Sequence, residues 1–201
     1  MMRRLTLLVL GLMCLGTFAA AQMEAPQIVA PNNEIYLGYL YEYADTNGSN
    51  VVSGAQLVDV QKTSLNGVDF QFSHYLKNHK SFGYTMDLSR GSRRKVDATG
   101  IKCQRTGYLV GPTYRLPSFG FITMNVHALA GADREHFTLP MGATTYEVQD
   151  DAWAVMGGVT VDGNLSKHLA IRLGQADFLY TEHYGKNQAS FRYTGGIVVR
   201  F

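Results

Sequence analysis

The sequence has 201 residues, with 18 Lys and Arg against 16 Asp and Glu and a formal net charge of +2. Arg3 and Arg4 supply the whole excess, so residues 22–201 are neutral, which argues against a general nucleic-acid binder because such proteins need surplus Lys and Arg to displace counterions. Residues 22–201 suffice for one domain and contain no apolar run of helix-spanning length, which excludes a helical membrane protein.

The first 21 residues have the pattern of a secretion signal. The basic pair Arg3 and Arg4 precedes an apolar core at 5–15, and an Ala-x-Ala motif follows at 19–21. The pattern predicts a signal peptide over 1–21 that is cleaved before the next residue. A membrane anchor helix is the weaker alternative, because the apolar core is shorter than the roughly 20 residues that cross a bilayer.

The cysteines give little further information on this segment. Cys14 suggests a lipoprotein site, but Met13 before it is bulkier than the small residue that such sites prefer. After cleavage only Cys103 remains, so an internal disulfide is not possible and the exported chain depends on backbone hydrogen bonds and packing.

Period-two alternation of apolar and polar residues predicts eight β-strands in the rest of the chain. The 12 Tyr, ten Phe and 21 Gly of the sequence also favour strands and turns. Each strand is about long enough to cross a membrane, since a tilted transmembrane strand needs ~9–11 residues. Alternation of this kind places one face against hydrocarbon and the other against a polar interior. The predicted strands are 33–43, 66–75, 82–89, 105–115, 120–131, 151–161, 168–180 and 190–201.

The connections between these strands alternate in length. Long ones are predicted at 44–65, 90–104, 132–150 and 181–189, and short ones at 76–81, 116–119 and 162–167. Short periplasmic turns and long external loops are typical of outer-membrane barrels. We therefore expect an all-β, eight-stranded antiparallel up-and-down transmembrane β-barrel over 33–201. Both termini would lie in the periplasm, with 22–32 as a periplasmic lead-in, and the long loops would be extracellular.

A soluble barrel with its apolar face turned inward is the alternative that alternation leaves open. The one-sided long connections and the terminal Phe201 favour the membrane barrel, and so do tyrosines near strand ends that fit interfacial girdles. These tyrosines are Tyr36, Tyr39, Tyr41, Tyr43, Tyr108, Tyr114, Tyr180 and Tyr193.

The final stretch GGIVVRF ends on Phe201, with Val199, Ile197 and Tyr193 in step behind it. It is similar to the C-terminal signal by which the barrel assembly machinery recognises outer-membrane barrels. Together with the segments LNGVDFQFSHYL, YLVGPTYRL, AWAVMGGVTVD and IRLGQADFLYT, it makes the mature chain resemble the opacity-protein and OmpA/OmpX-like family of small outer-membrane β-barrels along nearly its whole length. The resemblance implies a fold and a bacterial outer-membrane location, and says little about activity.

The polar parity predicts a charged barrel interior. An eight-stranded barrel is only wide enough for side chains to fill it, so these charges are expected to pair across the lumen, with a narrow ion path as the alternative. Arg172 and Asp177 fall on opposite parities, which requires either a bulge near Gly174 or a rim position for Asp177. The predicted interior residues are Glu34, Glu42, Asp69, Asp87, Arg115, His127, Asp162, Arg172, Arg192 and Arg200.

The second long connection is basic. Arginine binds phosphate bidentately, so an external loop of this composition predicts a contact with lipopolysaccharide, with a solvated loop as the alternative. The first loop, rich in Asn, Gly, Ser and Thr over 46–64, is the expected place for a surface ligand. The predicted lipopolysaccharide contact is Arg90, Arg93, Arg94 and Lys95, in a loop that also carries Lys102 and Arg105 against Asp97.

No catalytic, cofactor or metal site is predicted. A lipid hydrolase needs a His near a Ser nucleophile and a carboxylate, and the nearest grouping, Glu182 and His183 with Ser190, matches no known motif. Nor do His or Cys pairs stand at metal-ligand spacing. The sequence thus predicts a monomeric, non-enzymatic barrel that stabilises the envelope and presents loops for adhesion. A lipid-modifying barrel enzyme (acyl hydrolase or transferase) or a narrow ion pore is the alternative.

Overall fold

The computed structural model describes residues 31–53, 56–79, 81–96, 101–141 and 144–201. The predicted signal peptide and all but the last two residues of the predicted lead-in lie outside these ranges. No helix among the described residues is long and apolar enough to cross a membrane.

Eight antiparallel strands form a closed barrel in chain order, in which β1 pairs with β8. The predicted all-β, eight-stranded, up-and-down barrel is therefore confirmed. The strands are β1 Asn33–Ser53, β2 Gln56–Tyr75, β3 Phe82–Val96, β4 Ile101–Arg115, β5 Ile122–Met141, β6 Thr144–Asn164, β7 Leu169–His183 and β8 Lys186–Arg200.

Apolar side chains cover the outside of the barrel, and charged side chains are enclosed. On β1, Leu37 is 59% exposed and Tyr39 is 58% exposed, whereas Glu42 is 3% exposed. The soluble alternative with an apolar interior is therefore wrong. We call these outward apolar residues the belt. Its members include Leu37, Tyr39, Tyr41, Tyr43, Val68, Phe70, Phe82, Tyr84, Met86, Leu88, Tyr108, Val110, Val126, Trp153, Val155, Val159, Leu169, Ile171, Leu173, Phe178, Phe191, Tyr193, Ile197 and Val199.

The prediction that Tyr36 belongs to an outer girdle is wrong. Its side chain is 1% exposed and packs inside the barrel with Ala170 and Val198. Its even position shares the inward parity of Glu34 and Glu42, because successive side chains on a strand alternate between faces.

The predicted long connections are mostly β-structure, so their prediction as loops is wrong. The β1–β2 ladder continues to the pair Ser53↔Gln56, and the β5–β6 ladder continues to Met141↔Thr144. These extensions lie beyond the belt, where neither face needs to be apolar, so the alternation that marks a membrane strand is weak there. We call this side of the molecule the hairpin end, and the side with the short connections 76–81, 116–121 and 165–168 the turn end.

The β7–β8 hairpin closes with a two-residue turn. His183 pairs with Lys186, and the residues between them, Tyr184 and Gly185, have φ angles of 53° and 68°. Two positive φ angles define the type I′ turn that matches the twist of the flanking strands. A connection predicted to be long, 181–189, is thus reduced to a tight turn.

A bulge in β7 resolves the parity conflict of Arg172 and Asp177. The β7–β8 register shifts between Arg172 and Gln175. The β6–β7 register shifts between Val161 and Asp162 of β6, which pair with Gly174 and Arg172 and leave Leu173 unpaired between them. Both Arg172 (5% exposed) and Asp177 (0% exposed) consequently point inward. Of the two explanations open in the sequence, a bulge at Gly174 is the one that the structure contains.

Candidate functional site

The lumen is the main concentration of charged side chains among the described residues. All ten predicted interior residues point into it: nine are 8% exposed or less, and the His127 side chain is 4% exposed. The strand ladders place them there by parity alone, and ion pairs join them across the barrel.

At the turn end, Glu34 joins two arginines. Its Oε1 accepts hydrogen bonds from Arg115 Nη2 at 2.8 Å and Arg200 Nε at 2.6 Å. Arg115 also stacks 3.6 Å above the centre of the Tyr75 ring. Arg200 reaches Asp162 at 3.4 Å. This layer ties β1, β4, β6 and β8 together from inside.

In the middle of the barrel, Arg172 connects carboxylates and amides. It donates from Nε to Asp162 at 2.9 Å, and from Nη1 to Gln71 at 2.7 Å and Gln175 at 2.6 Å. Gln71 in turn donates hydrogen bonds to Asp87 at 2.8 Å and to Asp69 at 3.0 Å. The glutamines bridge charges that do not touch directly.

Arg192 and His127 complete this layer. Arg192 lies 3.5 Å from both Asp69 and Asp87. His127 Nε2 lies 3.0 Å from Asp177 Oδ1. The inward position of Asp177 does not follow from simple alternation along the sequence. Without the bulge, its carboxylate would fall on the outer face of β7.

Towards the hairpin end, Arg105 is the centre of the network. It donates from Nε to Asp133 at 2.5 Å, from Nη1 to Glu42 and Ser190 at 2.8 Å each, and from Nη2 to Thr181 at 2.8 Å. The sequence counts Arg105 among the charges of the basic loop, although it is also the first residue of the predicted strand 105–115. In the structure β4 begins at Ile101, so Arg105 lies within the strand, on the inward parity that it shares with Arg115.

His183 closes the network at the hairpin end, beyond the belt. Its Nε2 lies 2.9 Å from Asp133 Oδ2 and its Nδ1 lies 3.2 Å from Asp150 Oδ2. Asp150 Oδ2 also accepts the backbone N–H of Tyr184 at 2.7 Å, so the same carboxylate holds the type I′ turn. Burial alone lowers the pKa of His183, but the hydrogen bond to Asp133 and the charge of Glu135 outweigh it, and the pKa is raised.

Apolar residues pack across the lumen between the charged layers. One cluster of Leu109, Leu129, Ala154, Met156 and Leu179 lies inside the barrel. A second, at the hairpin end, contains Ala44, Leu65, Ile101, Cys103 and Phe137. Burial raises the pKa of the Cys103 thiol well above its ordinary value, so this thiol stays protonated at neutral pH.

The grouping of Glu182, His183 and Ser190 does not form a catalytic arrangement. Glu182 points outward and accepts a hydrogen bond from Trp153 Nε1 at 3.1 Å, whereas His183 and Ser190 point inward. Ser190 Oγ is bound by Arg105. Within the described ranges, no group of three or more His, Cys, Asp or Glu is placed to hold a metal ion.

The four basic residues of the predicted lipopolysaccharide contact do not share one face. Arg90 is exposed on the outer face of β3 and reaches Gln104 on β4 at 3.4 Å. Arg93 has the opposite parity, and its Nη1 donates to Ser64 at 2.8 Å. The side chains of Arg94 and Lys95 lie outside the described part of the chain.

The C-terminal pattern lies on the outer face of β8. Tyr193 is 48% exposed, Ile197 57%, Val199 47% and Phe201 54%. The first three belong to the belt, and Phe201 sits at the turn end, where its backbone exchanges hydrogen bonds with Asn33.

This architecture, a closed ring of eight antiparallel strands with an apolar exterior and an ionised interior, is the fold of the small outer-membrane β-barrels. No protein-family model matches the chain, and no curated protein matches it. Solved structures do. The attachment invasion locus protein Ail of Yersinia pestis superposes with a TM-score of 0.58 at 13% identity, over 85% of this chain and 99% of Ail.

Two further barrels are similar. Neisserial surface protein A (NspA) gives a TM-score of 0.54 at 12% identity, with 84% of this chain and 97% of NspA covered. The N-terminal barrel domain of Pseudomonas aeruginosa OprF gives 0.50 at 11% identity, with 84% and 98% covered. At these identities the likeness shows the fold that the chain shares with them.

Proposed function

We propose that the chain is a non-enzymatic barrel of the bacterial outer membrane that stabilises the envelope and presents its hairpins at the cell surface. The observation that carries this proposal is the polarity of the barrel wall. Apolar side chains face outward all round the ring, and the closed ladder leaves no strand edge unpaired, which are the two requirements for a β-structure in hydrocarbon.

The hairpin end fits a role at the surface. Four β-hairpins rise beyond the belt, and they carry most of the exposed charged side chains among the residues whose side chains the structure describes. In the orientation usual for such barrels, the turn end and both termini face the periplasm and the hairpins face the medium. An adhesion or envelope partner would meet strand-built hairpins with defined backbone geometry rather than free loops.

The outward basic residues of β3 and β4 support a contact with lipopolysaccharide phosphate. Arg90 and Lys102 are both exposed on the outer face, and Tyr108 marks the edge of the belt below them. This set differs from the one predicted from the sequence, since Arg93 binds a hydroxyl on β2 and Lys102 takes its place on the outside.

The lipopolysaccharide contact is tested by the double variant Arg90→Gln/Lys102→Gln in purified, folded protein. Binding to lipopolysaccharide micelles should weaken and lose most of its salt dependence, because charge-assisted contacts to phosphate are removed. Lys186→Gln, which removes an exposed charge at the start of β8, serves as the control. Equal binding by the double variant and this control would rule the contact out.

The outward pattern Tyr193, Ile197, Val199 and Phe201 supports recognition by the barrel assembly machinery. Replacing Phe201 with Ser should lower the amount of folded barrel in the outer membrane without lowering secretion. An unchanged amount of folded barrel would contradict recognition of these residues by the assembly machinery.

The proposed function as a whole is tested by expression with the native leader, membrane fractionation and gel electrophoresis with and without boiling. The protein should fractionate with the outer membrane and migrate differently before boiling, since a closed barrel resists detergent until heated. A soluble protein, or one whose migration is insensitive to heat, would contradict the proposal.

A further inference from the structure

The turn end carries exposed apolar side chains that the belt does not account for. They lie on the turns themselves and belong to no ladder between strands. Each of the three short turns contributes at least one of them. They are Leu76 at 47% exposure, Phe119 at 51%, Phe121 at 64% and Leu165 at 62%.

The exposed ionisable side chains described on these turns are all basic types. Lys77 and His79 follow Leu76 on the β2–β3 turn, and Lys167 and His168 follow Leu165 on the β6–β7 turn. Among the described turn residues 76–79, 81, 116–121 and 165–168 there is no acidic side chain. The arginines of this end, Arg115 and Arg200, are buried and paired with Glu34, so the exposed basic side chains described at this end are those of the turns.

The position of these turn residues relative to the belt determines which part of a membrane they can contact. Phe82 and Tyr114 pack edge to face, with ring centres 4.9 Å apart, on the outer wall directly above the turns. Aromatic pairs of this kind mark the border between hydrocarbon and headgroups. An exposed Leu or Phe just beyond that border reaches into the interface, and a neighbouring Lys extends its ammonium to the headgroup level.

We propose that the turn end is a binding surface for the headgroups of anionic phospholipids. The partner is a membrane leaflet, because Lys77 and Lys167 lie on opposite sides of the ring, separated by four strands, and no single small ligand reaches both. The apolar turn residues anchor the turn end in the interface, and the lysines favour headgroups whose phosphate is not balanced by a cation. The proposal rests on the insertion of the barrel in a membrane.

The test compares barrels reconstituted in nanodiscs of phosphatidylcholine alone and in nanodiscs that also contain phosphatidylglycerol. Backbone amide NMR signals of 77–79 and 165–168 report on the turn end directly. The variant is Lys77→Gln/Lys167→Gln. The matched control is Arg134→Gln/Lys186→Gln, which removes two exposed basic side chains from the hairpin end.

The wild type and the control should show shifts at these amides that grow with the phosphatidylglycerol fraction and shrink with added salt. The variant should lose most of this response, since one lysine near an anionic surface contributes about a fivefold preference at low ionic strength. A variant that keeps the response overturns the proposal, as does a wild type that responds equally to both lipids.

The same samples distinguish a lipid at the turn end from a second copy of the chain. Cross-linking through the turns in discs that hold two barrels would assign the turn end to a second copy and would also overturn the proposal. Migration before and after boiling is measured in every sample. A wild type that does not insert contradicts the proposed function, whereas an inserted barrel without lipid preference contradicts only the present inference.

Discussion

The guanidinium of Arg105 links several strands across the part of the lumen that lies towards the hairpin end. It contacts Glu42 on β1 and Asp133 on β5, and it also binds hydroxyls on β7 and β8. Five donors in a rigid fork allow one residue to join distant strands in this way, which a lysine does not match.

Removing this guanidinium should be costly. Arg105→Ala leaves Glu42 and Asp133 buried with less compensation, and breaking a buried pair from one side costs about 3–5 kcal/mol. The measurement is the free energy of unfolding in urea from lipid vesicles. Arg134→Ala, which breaks the exposed ion pair with Asp151, should change stability far less. Similar losses for the two variants would contradict the role given to Arg105.

His183 should make stability depend on pH. Its pKa is raised in the folded barrel, so folding favours the protonated ring. The stabilisation is therefore fully present below the unfolded pKa, about 6.5, and is lost as the pH rises through the higher folded value. Wild-type stability should fall over this range.

The contribution of His183 is isolated by comparison with His183→Gln, whose urea midpoint should fall less between about pH 6 and pH 9. Glu135 is present in both proteins, but its charge interacts with His183, so the difference reports the titration of His183 together with this coupling. The exposed His79→Gln serves as the control and should follow the wild type. Parallel curves for all three would show that His183 does not titrate with folding.

At the scale of the element, the β7 bulge decides which charges enter the lumen. The shift between Arg172 and Gln175 turns Asp177 from the lipid side to the inside, where it meets His127. The extra residues leave the backbone of Leu173 out of the ladder on the lipid-facing wall. Tyr193 compensates, because its hydroxyl donates to the Leu173 carbonyl at 3.2 Å.

Tyr193→Phe should therefore destabilise the barrel by about 1–3 kcal/mol, since the Leu173 carbonyl loses its hydrogen-bond donor next to hydrocarbon. The readout is the urea midpoint in vesicles. Tyr41 faces Tyr193 across the β1–β8 seam, so Tyr41→Phe makes the same chemical change away from the bulge. A loss confined to Tyr193→Phe supports this account, and equal losses refute it.

The hairpins show why the strands predicted from the sequence are shorter than those of the structure. Residues 44–53 and 132–141 lack clear apolar alternation and carry many polar side chains, which favours loops when the chain is read alone. In the fold, each such segment has a partner in register, and the ladder of β1 and β2 runs on to Ser53↔Gln56. Backbone pairing requires a partner strand in register, and it does not require the apolar alternation that marks a membrane-facing strand.

At the scale of the whole molecule, the barrel closes where β1 meets β8, and two glycines permit the contact. Gly38 faces Gly196 in the register. A Cβ on Gly196 would lie 2.3 Å from the carbonyl oxygen of Leu37 and 2.5 Å from the Cα of Gly38. Both are backbone atoms, which cannot move aside as the tip of a side chain can.

Gly196→Ala should consequently impair closure and lower the yield of the heat-modifiable form, with a cost of about 1–3 kcal/mol from overpacking. Gly157→Ala is the matched control, because its added Cβ would meet only the His127 carbonyl oxygen, at 3.9 Å. The two variants are compared by the fraction of folded band after refolding into vesicles. Equal yields would show that the seam tolerates the methyl group.

Alternation and connection length along the chain were enough to predict the number of strands, their order and which strand ends are joined by short turns. It also placed ten charged residues on the polar parity, because alternation with a period of two follows directly from strand geometry. Only the three-dimensional structure shows the bulge in β7, the partners of Arg105 on four other strands and the length of the hairpins. These features depend on which residues pair across strands, and a register is a property of two segments together, which neither segment encodes alone.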